Sequence, residues 1–337
     1  MNLALTQRPS SGATHSNITS PTRSTDFWFN DGSVVLHAES CLFRVHHSIL
    51  SMHSEIFRGM FSLPQPAAAD GDVVEGCLVV HLHDRAVDWT HVLEAFYSGR
   101  HIRKQRFENK PWPFPVVAAY LRLSTKYEIR YLRTEAQKLL SIAFPSDLDS
   151  FDIDNHGKPI AHYSALYFDA IALARETGRL CILPAIYFFI CCSCEVREVS
   201  EGIKRADGTL STLTVQEQQA ILRGRRLLVE KLPQETLYGM LPSTEFDCYK
   251  KSCERARTHI YHNLFGIHPP HEPDISLAFR TWNREWDNEG MCSSCRQECN
   301  RYHDMGGGWM WDLLPWMFGL PEWGDLLWDE VLTDSEE

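Results

Sequence analysis

The pattern of apolar positions changes character about a third of the way along the chain. Val34–Leu36 and Cys41–Val45 are compact apolar runs on either side of Glu39 and Ser40, which is typical of a β-hairpin. Leu78–Leu82 is a further run of strand length, and it follows a stretch rich in Ala, Pro, Gly and Asp. These runs predict a small β-sheet near the N-terminus.

Around and after these strands, large apolar residues recur at helical spacing. Residues 49–61 predict two short helices separated at Ser54 and Glu55, and residues 89–97 predict a third. A helical pair is predicted over residues 116–140. Several of these apolar side chains have the spacing of core residues: Phe57, Met60, Phe61, Phe96 and Tyr97.

The rest of the chain predicts helices and ends in a segment dense in tryptophan. One apolar stripe predicts a helix that ends at Gly178, and Pro184 opens the next. Thr214-Val215-Gln216-Glu217 is a capping-box pattern in front of another helix. Seven of the ten tryptophans follow Ala278, and we expect their rings to pack against the helices. Gly306-Gly307-Gly308 suggests a hinge.

Four fragments resemble motifs of the BTB/POZ family and occur in the family's order. They are Phe43–Leu50 (FRVHHSIL), Ser54–Phe61 (SEIFRGMF), Leu93–Gly99 (LEAFYSG) and Leu123–Ile129 (LSTKYEI). The first has His46 at the family's histidine position and His47 in place of its usual basic residue. The resemblance extends from about Asp26 to Phe144, and the longer pattern is most similar to BTB proteins of mushroom-forming fungi.

The expected fold class is an α/β BTB/POZ fold, with a small sheet flanked by short helices, followed by an all-α extension and a Cys/Trp-rich C-terminal segment. Residues 1–24 are expected to be a disordered tail, because they hold few large apolar residues. The BTB/POZ domain is expected at 25–144 and a helical extension at 145–241, with a loose resemblance to the BACK region of kelch-type relatives. Residues 242–337 form the C-terminal segment, which is expected to pack on the helices.

The net charge of −11 argues against nucleic-acid binding, because such a chain repels phosphate backbones. The short basic segments Arg100–Arg106 and Arg223–Arg226 are expected to be solvated surface. The apolar run Leu180–Cys194 is shorter than the ~18 residues that suggest a membrane span. Since Met1–Ser11 does not resemble a secretory signal, we expect an intracellular protein, cytoplasmic or nuclear.

The common catalytic motifs are missing from the sequence, including phosphate-binding glycine loops, His-Glu-x-x-His and Gly-x-Ser-x-Gly. We therefore expect no enzyme. The resemblance implies a scaffold that forms homodimers through its BTB domain and presents its helical part to another protein. An alternative is a substrate adaptor of a cullin-type ubiquitin ligase, with contacts at Met60–Leu63 and Phe114–Tyr127, although Ser62-Leu63-Pro64 lacks the acidic residue of the family's contact. A transcriptional co-regulator is a further alternative.

Cysteine spacing near the C-terminus predicts one structural zinc ion. Cys292 and Cys295 form a Cys-x2-Cys knuckle, whose two thiolates can reach one tetrahedral ion. The preferred ligands add the upstream pair Cys248 and Cys253. An alternative Cys3His set keeps Cys292 and Cys295 and adds Cys299 and His303, which are four residues apart. The competing interpretation is that the eleven cysteines are free thiols in a reducing compartment.

Overall fold

A computed structural model describes residues 21–63, 72–98, 110–155, 158–241, 248–265 and 273–326. The chain divides into two compact units, Met1–Phe96 and Tyr97–Glu337, which are described separately. The tail expected at 1–24 lies outside the described residues up to Ser20, and the first strand begins at Thr22. Arg100–Arg106 and Trp328 also lie outside them. No helix within the described ranges is long and apolar enough to cross a membrane.

The first unit contains a five-stranded sheet. Its strands are β1 (Thr22–Trp28), β2 (Val34–Ala38), β3 (Cys41–Val45), β4 (Val73–Val74) and β5 (Cys77–Leu82). They lie in the order β1-β3-β2-β5-β4, with β2 antiparallel to β3 and parallel to β5. The predicted hairpin and the predicted third strand are confirmed.

The β2–β3 hairpin turns at two polar residues and buries both of its strands. Glu39 has a φ of 49°, so the backbone enters the left-handed region there before Ser40. The strand β2 lies between β3 and β5, and Leu36 on it has no exposed surface. Phe43 and Val45 on β3 are equally buried. The continuous apolar run of β2 is therefore that of a central strand, covered on both faces.

Three helices accompany the sheet: α1 (His47–His53), α2 (Glu55–Ser62) and α3 (Ala86–Tyr97). Ser54 separates α1 from α2 because its backbone is extended and its hydroxyl accepts a hydrogen bond from the Phe57 N–H. Phe57 and Phe96 are buried, as their spacing predicts. The other three predicted core residues are half-buried: Met60, Phe61 and Tyr97.

The second unit begins with a helical pair, α4 (Phe114–Tyr127) and α5 (Arg130–Ala143). Glu128 has a φ of 53°, and this left-handed residue ends α4. Ten of the fourteen residues of α4 are buried, and this helix packs against α5. The predicted helical pair is confirmed.

The helical extension continues with α6 (Leu166–Thr177), α7 (Leu183–Ser193), α8 (Val196–Glu201) and α9 (Val215–Lys231). Gly178 follows α6 with a φ of 71°, and Pro184 occupies the first turn of α7. Thr214 and Glu217 make both hydrogen bonds of a capping box at the start of α9. All three local patterns are confirmed.

A short hairpin of β6 (Ile203–Lys204) and β7 (Leu210–Ser211) interrupts the helices, and the sequence did not predict it. Asp169 on α6 anchors this hairpin, because its carboxylate accepts hydrogen bonds from Arg205 and Ser211 as well as from the Tyr163 hydroxyl. Burial raises the pKa of Asp169, but these donors outweigh burial and hold the pKa below its ordinary value. The carboxylate is therefore a charged anchor at neutral pH.

The C-terminal part contains α10 (Lys251–Phe265), α11 (Ser293–Asp312) and α12 (Leu314–Met317). Single 3-10 turns lie between the helices of this unit or after the last of them: Ile153–Asn155, Leu180–Ile182, Tyr238–Met240, Ile275–Ala278, Arg284–Asn288 and Trp323–Leu326. Trp311 is buried and stacks on Trp323 at a centroid distance of 5.4 Å. Tryptophan packing is incomplete, because Trp309 is 42% exposed and Trp316 is 51% exposed.

The three consecutive glycines do not form a hinge, and that expectation is wrong. Gly306, Gly307 and Gly308 continue α11 without a break. A Cβ atom added to Gly306 would lie 2.3 Å from the backbone oxygen of Glu235, so only glycine fits where the helix meets this backbone. Gly306 therefore allows close packing between α11 and the segment that follows α9.

Candidate metal centre and contact surface

Two of the predicted ligands lie at the start of α10. Cys248 precedes the helix, and Cys253 lies in its first turn, where it is 2% exposed. The segment between them contains Lys250, whose carbonyl accepts a hydrogen bond from the Cys253 N–H. The chain therefore turns into the helix between the two cysteines, which lets the sulfurs approach each other.

The other two ligands lie at the start of α11. Cys292 is the N-cap residue of this helix, and Cys295 lies in its first turn. Residues three apart share one face of a helix, so the Cys-x2-Cys spacing directs both sulfurs to the same side. Cys295 is buried and Cys292 is half-buried.

The structure brings the two pairs together. The sulfurs of Cys248, Cys253, Cys292 and Cys295 all lie within 4.8 Å of one another. The Cys248 and Cys292 sulfurs are 3.9 Å apart, which is too long for a disulfide bond of ~2.05 Å. Four sulfurs bound ~2.3 Å from one tetrahedral zinc ion would be about 3.8 Å apart. The observed spacing suits a metal ion at the centre of the group.

Backbone hydrogen bonds favour thiolate character within this group. The Cys292 N–H donates to the Cys253 sulfur over 3.2 Å. The Cys295 N–H donates to the Cys292 sulfur and, with the neighbouring thiols, lowers the pKa of Cys292 to about 6. Burial raises the pKa of Cys295, and the nearby thiols add to this effect. Because clustered thiolates repel one another, a cation is needed to hold all four deprotonated.

The two alternate ligands lie outside the four-sulfur group. The Cys299 thiol donates to the Gly239 carbonyl oxygen over 3.4 Å, and burial raises its pKa to about 12. His303 is buried beside the rings of Trp282 and Trp286, and burial lowers the pKa of its imidazole. Within the described residues, the four cysteines are the one group of three or more His, Cys, Asp or Glu ligands at this spacing. The geometry favours the two-pair ligand set.

The cysteines at the end of α7 have a different environment. Cys191 and Cys194 are buried, Cys192 is partly so, and burial raises the thiol pKa of all three. The Cys191 thiol donates to the Ile221 carbonyl oxygen. These residues behave as small apolar side chains.

The α1–α2 region carries three large apolar side chains that are exposed to solvent. Met52 on α1 is 61% exposed, Ile56 on α2 is 43% exposed and Leu63 after α2 is 66% exposed. The sequence did not predict this exposed surface. We define the α1–α2 surface as Met52, Ile56 and Leu63. Exposed apolar side chains of this size are available for contact with another protein.

Comparison with known proteins identifies the N-terminal part of the chain. A family model of the BTB/POZ domain matches residues 30–142. Searches of curated proteins and of solved structures found no match. The similarity to members from mushroom-forming fungi stays a prediction. The matched region runs from just before β2 to the end of α5 and includes the four fragments that resemble the family. Residues 30–142 therefore form a BTB/POZ domain, which is a protein–protein interaction module.

Proposed function

We propose that this protein is a non-enzymatic scaffold that self-associates through its BTB/POZ domain and presents its helical C-terminal part to another protein. The family match over residues 30–142 carries this proposal, because BTB domains commonly self-associate and bind other proteins. The remainder of the chain adds a helical region long enough to bind a partner independently. The expected setting is intracellular, in the cytoplasm or the nucleus.

The α1–α2 surface supports the self-association part of the proposal. Met52 and Leu63 are each more than half exposed, and burying such side chains against a second copy would stabilise a dimer by roughly 25 cal/mol per Å² of apolar surface. A symmetric dimer uses the same patch on both subunits, so one substitution changes the interface twice. This makes the surface sensitive to a single charged residue.

The four-cysteine group supports a structural zinc ion as part of the same scaffold. Four sulfurs within 4.8 Å of one another would fill all four positions around a tetrahedral ion and leave none for water or substrate, which is typical of structural rather than catalytic zinc. The ion would tie the start of α10 to the start of α11. About forty residues of sequence, which include α10 itself, separate these two starts. Zinc would therefore add folding energy by linking them.

The burial of α4 weighs against the cullin-adaptor alternative. The family resemblance places part of a cullin contact on Phe114–Tyr127, yet most residues of this helix are buried. Arg122, one of its partly exposed side chains, donates a hydrogen bond to Glu176 on α6. Capture of partners from cell extract, followed by mass spectrometry, distinguishes the functions. Recovery of a cullin would favour the adaptor, and recovery of chromatin factors would favour the co-regulator.

Light scattering of the purified chain tests self-association. We expect the wild-type protein to have twice the monomer mass of 38.8 kDa at micromolar concentration, and the double variant Met52→Asp with Ile56→Asp to have the monomer mass. Introducing two carboxylates into a desolvated interface carries a penalty that the dimer cannot offset.

The matched control is Val87→Asp. Val87 lies on α3 and is 53% exposed, so this substitution should leave the mass unchanged. A wild-type monomer would contradict self-association. A dimer that persists in the double variant would show that the interface lies outside the α1–α2 surface.

A further inference from the structure

Two histidines on neighbouring strands of the first unit form a second candidate ligand pair. His37 on β2 and His81 on β5 are direct partners in the parallel register. Residues in register on adjacent strands point to the same face of the sheet. Their rings lie 5.0 Å apart at an interplanar angle of 60°, so the imidazoles are side by side and not stacked.

The Asp72 carboxylate determines which ring nitrogen of His81 is available for metal coordination. The Nδ1 atoms of His37 and His81 are 3.2 Å apart, and His81 Nε2 lies 2.9 Å from an Asp72 carboxylate oxygen. A carboxylate only accepts hydrogen bonds, so the proton of neutral His81 resides on Nε2. Its Nδ1 lone pair then faces His37.

We propose that His37 and His81 bind a divalent transition-metal ion through their Nδ1 atoms. Two imidazole nitrogens bound ~2.0 Å from a tetrahedral ion are separated by about 3.3 Å, which is close to the observed 3.2 Å. Imidazole ligands suit zinc, nickel and copper(II). The Asp72 carboxylate orients the His81 ring through its other nitrogen, Nε2, as a carboxylate does for many metal-binding histidines.

The site has two protein ligands and is open to solvent. The His81 side chain is 54% exposed, and Asp72 is 74% exposed. No further His, Cys, Asp or Glu ligand atom in the described part of the chain lies within 4.8 Å of both nitrogens. The remaining coordination positions are therefore available to water or to a ligand from outside the chain. Such a site exchanges its metal, unlike the closed four-cysteine group, and it does not depend on that group.

Isothermal titration of the full chain with nickel ions tests this proposal. The protein is first saturated with zinc and then dialysed, so that any thiolate site is filled. We expect saturable binding of one nickel ion per wild-type chain and its loss in His37→Gln and in His81→Gln. Asp72→Asn should retain binding with about 10- to 100-fold lower affinity, the usual effect of removing an orienting carboxylate.

His83→Gln is the control, because it makes the same chemical change in an exposed histidine two residues from His81. Its nickel affinity should equal that of the wild type. Nickel binding that is equally strong in His81→Gln, or no saturable binding in the wild type, would overturn the proposal and leave a hydrogen-bonded histidine pair. Because none of the variants changes a cysteine, this result is independent of whether the cysteines hold zinc.

Discussion

Replacing Gly306 with alanine is expected to lower the free energy of unfolding of the second unit by about 3 kcal/mol. The added Cβ would lie 2.3 Å from the Glu235 oxygen and 2.6 Å from the Thr236 Cα, and backbone atoms cannot move aside as a flexible side chain can. The helix α11 must shift, which opens the contact that buries Thr236 and Met310. Urea unfolding followed by tryptophan fluorescence measures the loss.

Gly308 provides a matched control within the same helix. A Cβ at this position meets nothing within 4 Å, so Gly308→Ala should raise the free energy of unfolding by ~0.5–1 kcal/mol through better helix propensity. The two substitutions are chemically identical and should change stability in opposite directions. Equal stabilisation by both would mean that α11 does not approach the Glu235 backbone.

Loss of one zinc ligand is expected to have an effect of similar size or larger. Cys295→Ser should reduce the zinc content from about one ion per chain to near zero, because three thiolates hold the ion far more weakly than four. Zinc at a free concentration 1,000-fold above its dissociation constant stabilises the folded chain by about 4 kcal/mol, and this contribution disappears with the ion. Elemental analysis and thermal unfolding with and without a strong chelator measure both effects.

Variants of the neighbouring cysteines separate the two ligand sets. Cys248→Ser should lose zinc, whereas Cys299→Ser should keep it, because the Cys299 sulfur bonds to the Gly239 carbonyl and lies outside the four-sulfur group. The opposite pattern would assign the ion to the Cys3His set. A metal-free wild-type protein whose melting temperature is indifferent to chelator would leave the cysteines as free thiols.

Local patterns predicted much of this fold because their causes lie within a few residues. The Thr214 capping box and the Pro184 helix start involve contacts inside a single turn, and both are confirmed. The Cys292–Cys295 knuckle is equally local, and its spacing placed both sulfurs on one face of α11. The pairing with Cys248 and Cys253 joins segments that are distant in sequence, so no local pattern contains it. The short distances among the four sulfurs support this pairing.

Other features depend on contacts between distant segments that no local pattern contains. The three glycines at 306–308 suggested a hinge, because the sequence does not show which backbone the helix meets. The His37–His81 pair could not be recognised before the register of β2 and β5 was known. The exposure of Ile56 depends on which elements cover that face of α2, and none of the described elements covers it fully.

Native mass spectrometry of the full chain, after dialysis to remove weakly held metal, measures assembly and metal content in one spectrum. For a zinc-containing BTB scaffold that self-associates, we expect a particle of twice 38.8 kDa that carries two zinc ions, one for each four-cysteine group. A metal-free monomer of 38.8 kDa as the main species would contradict it.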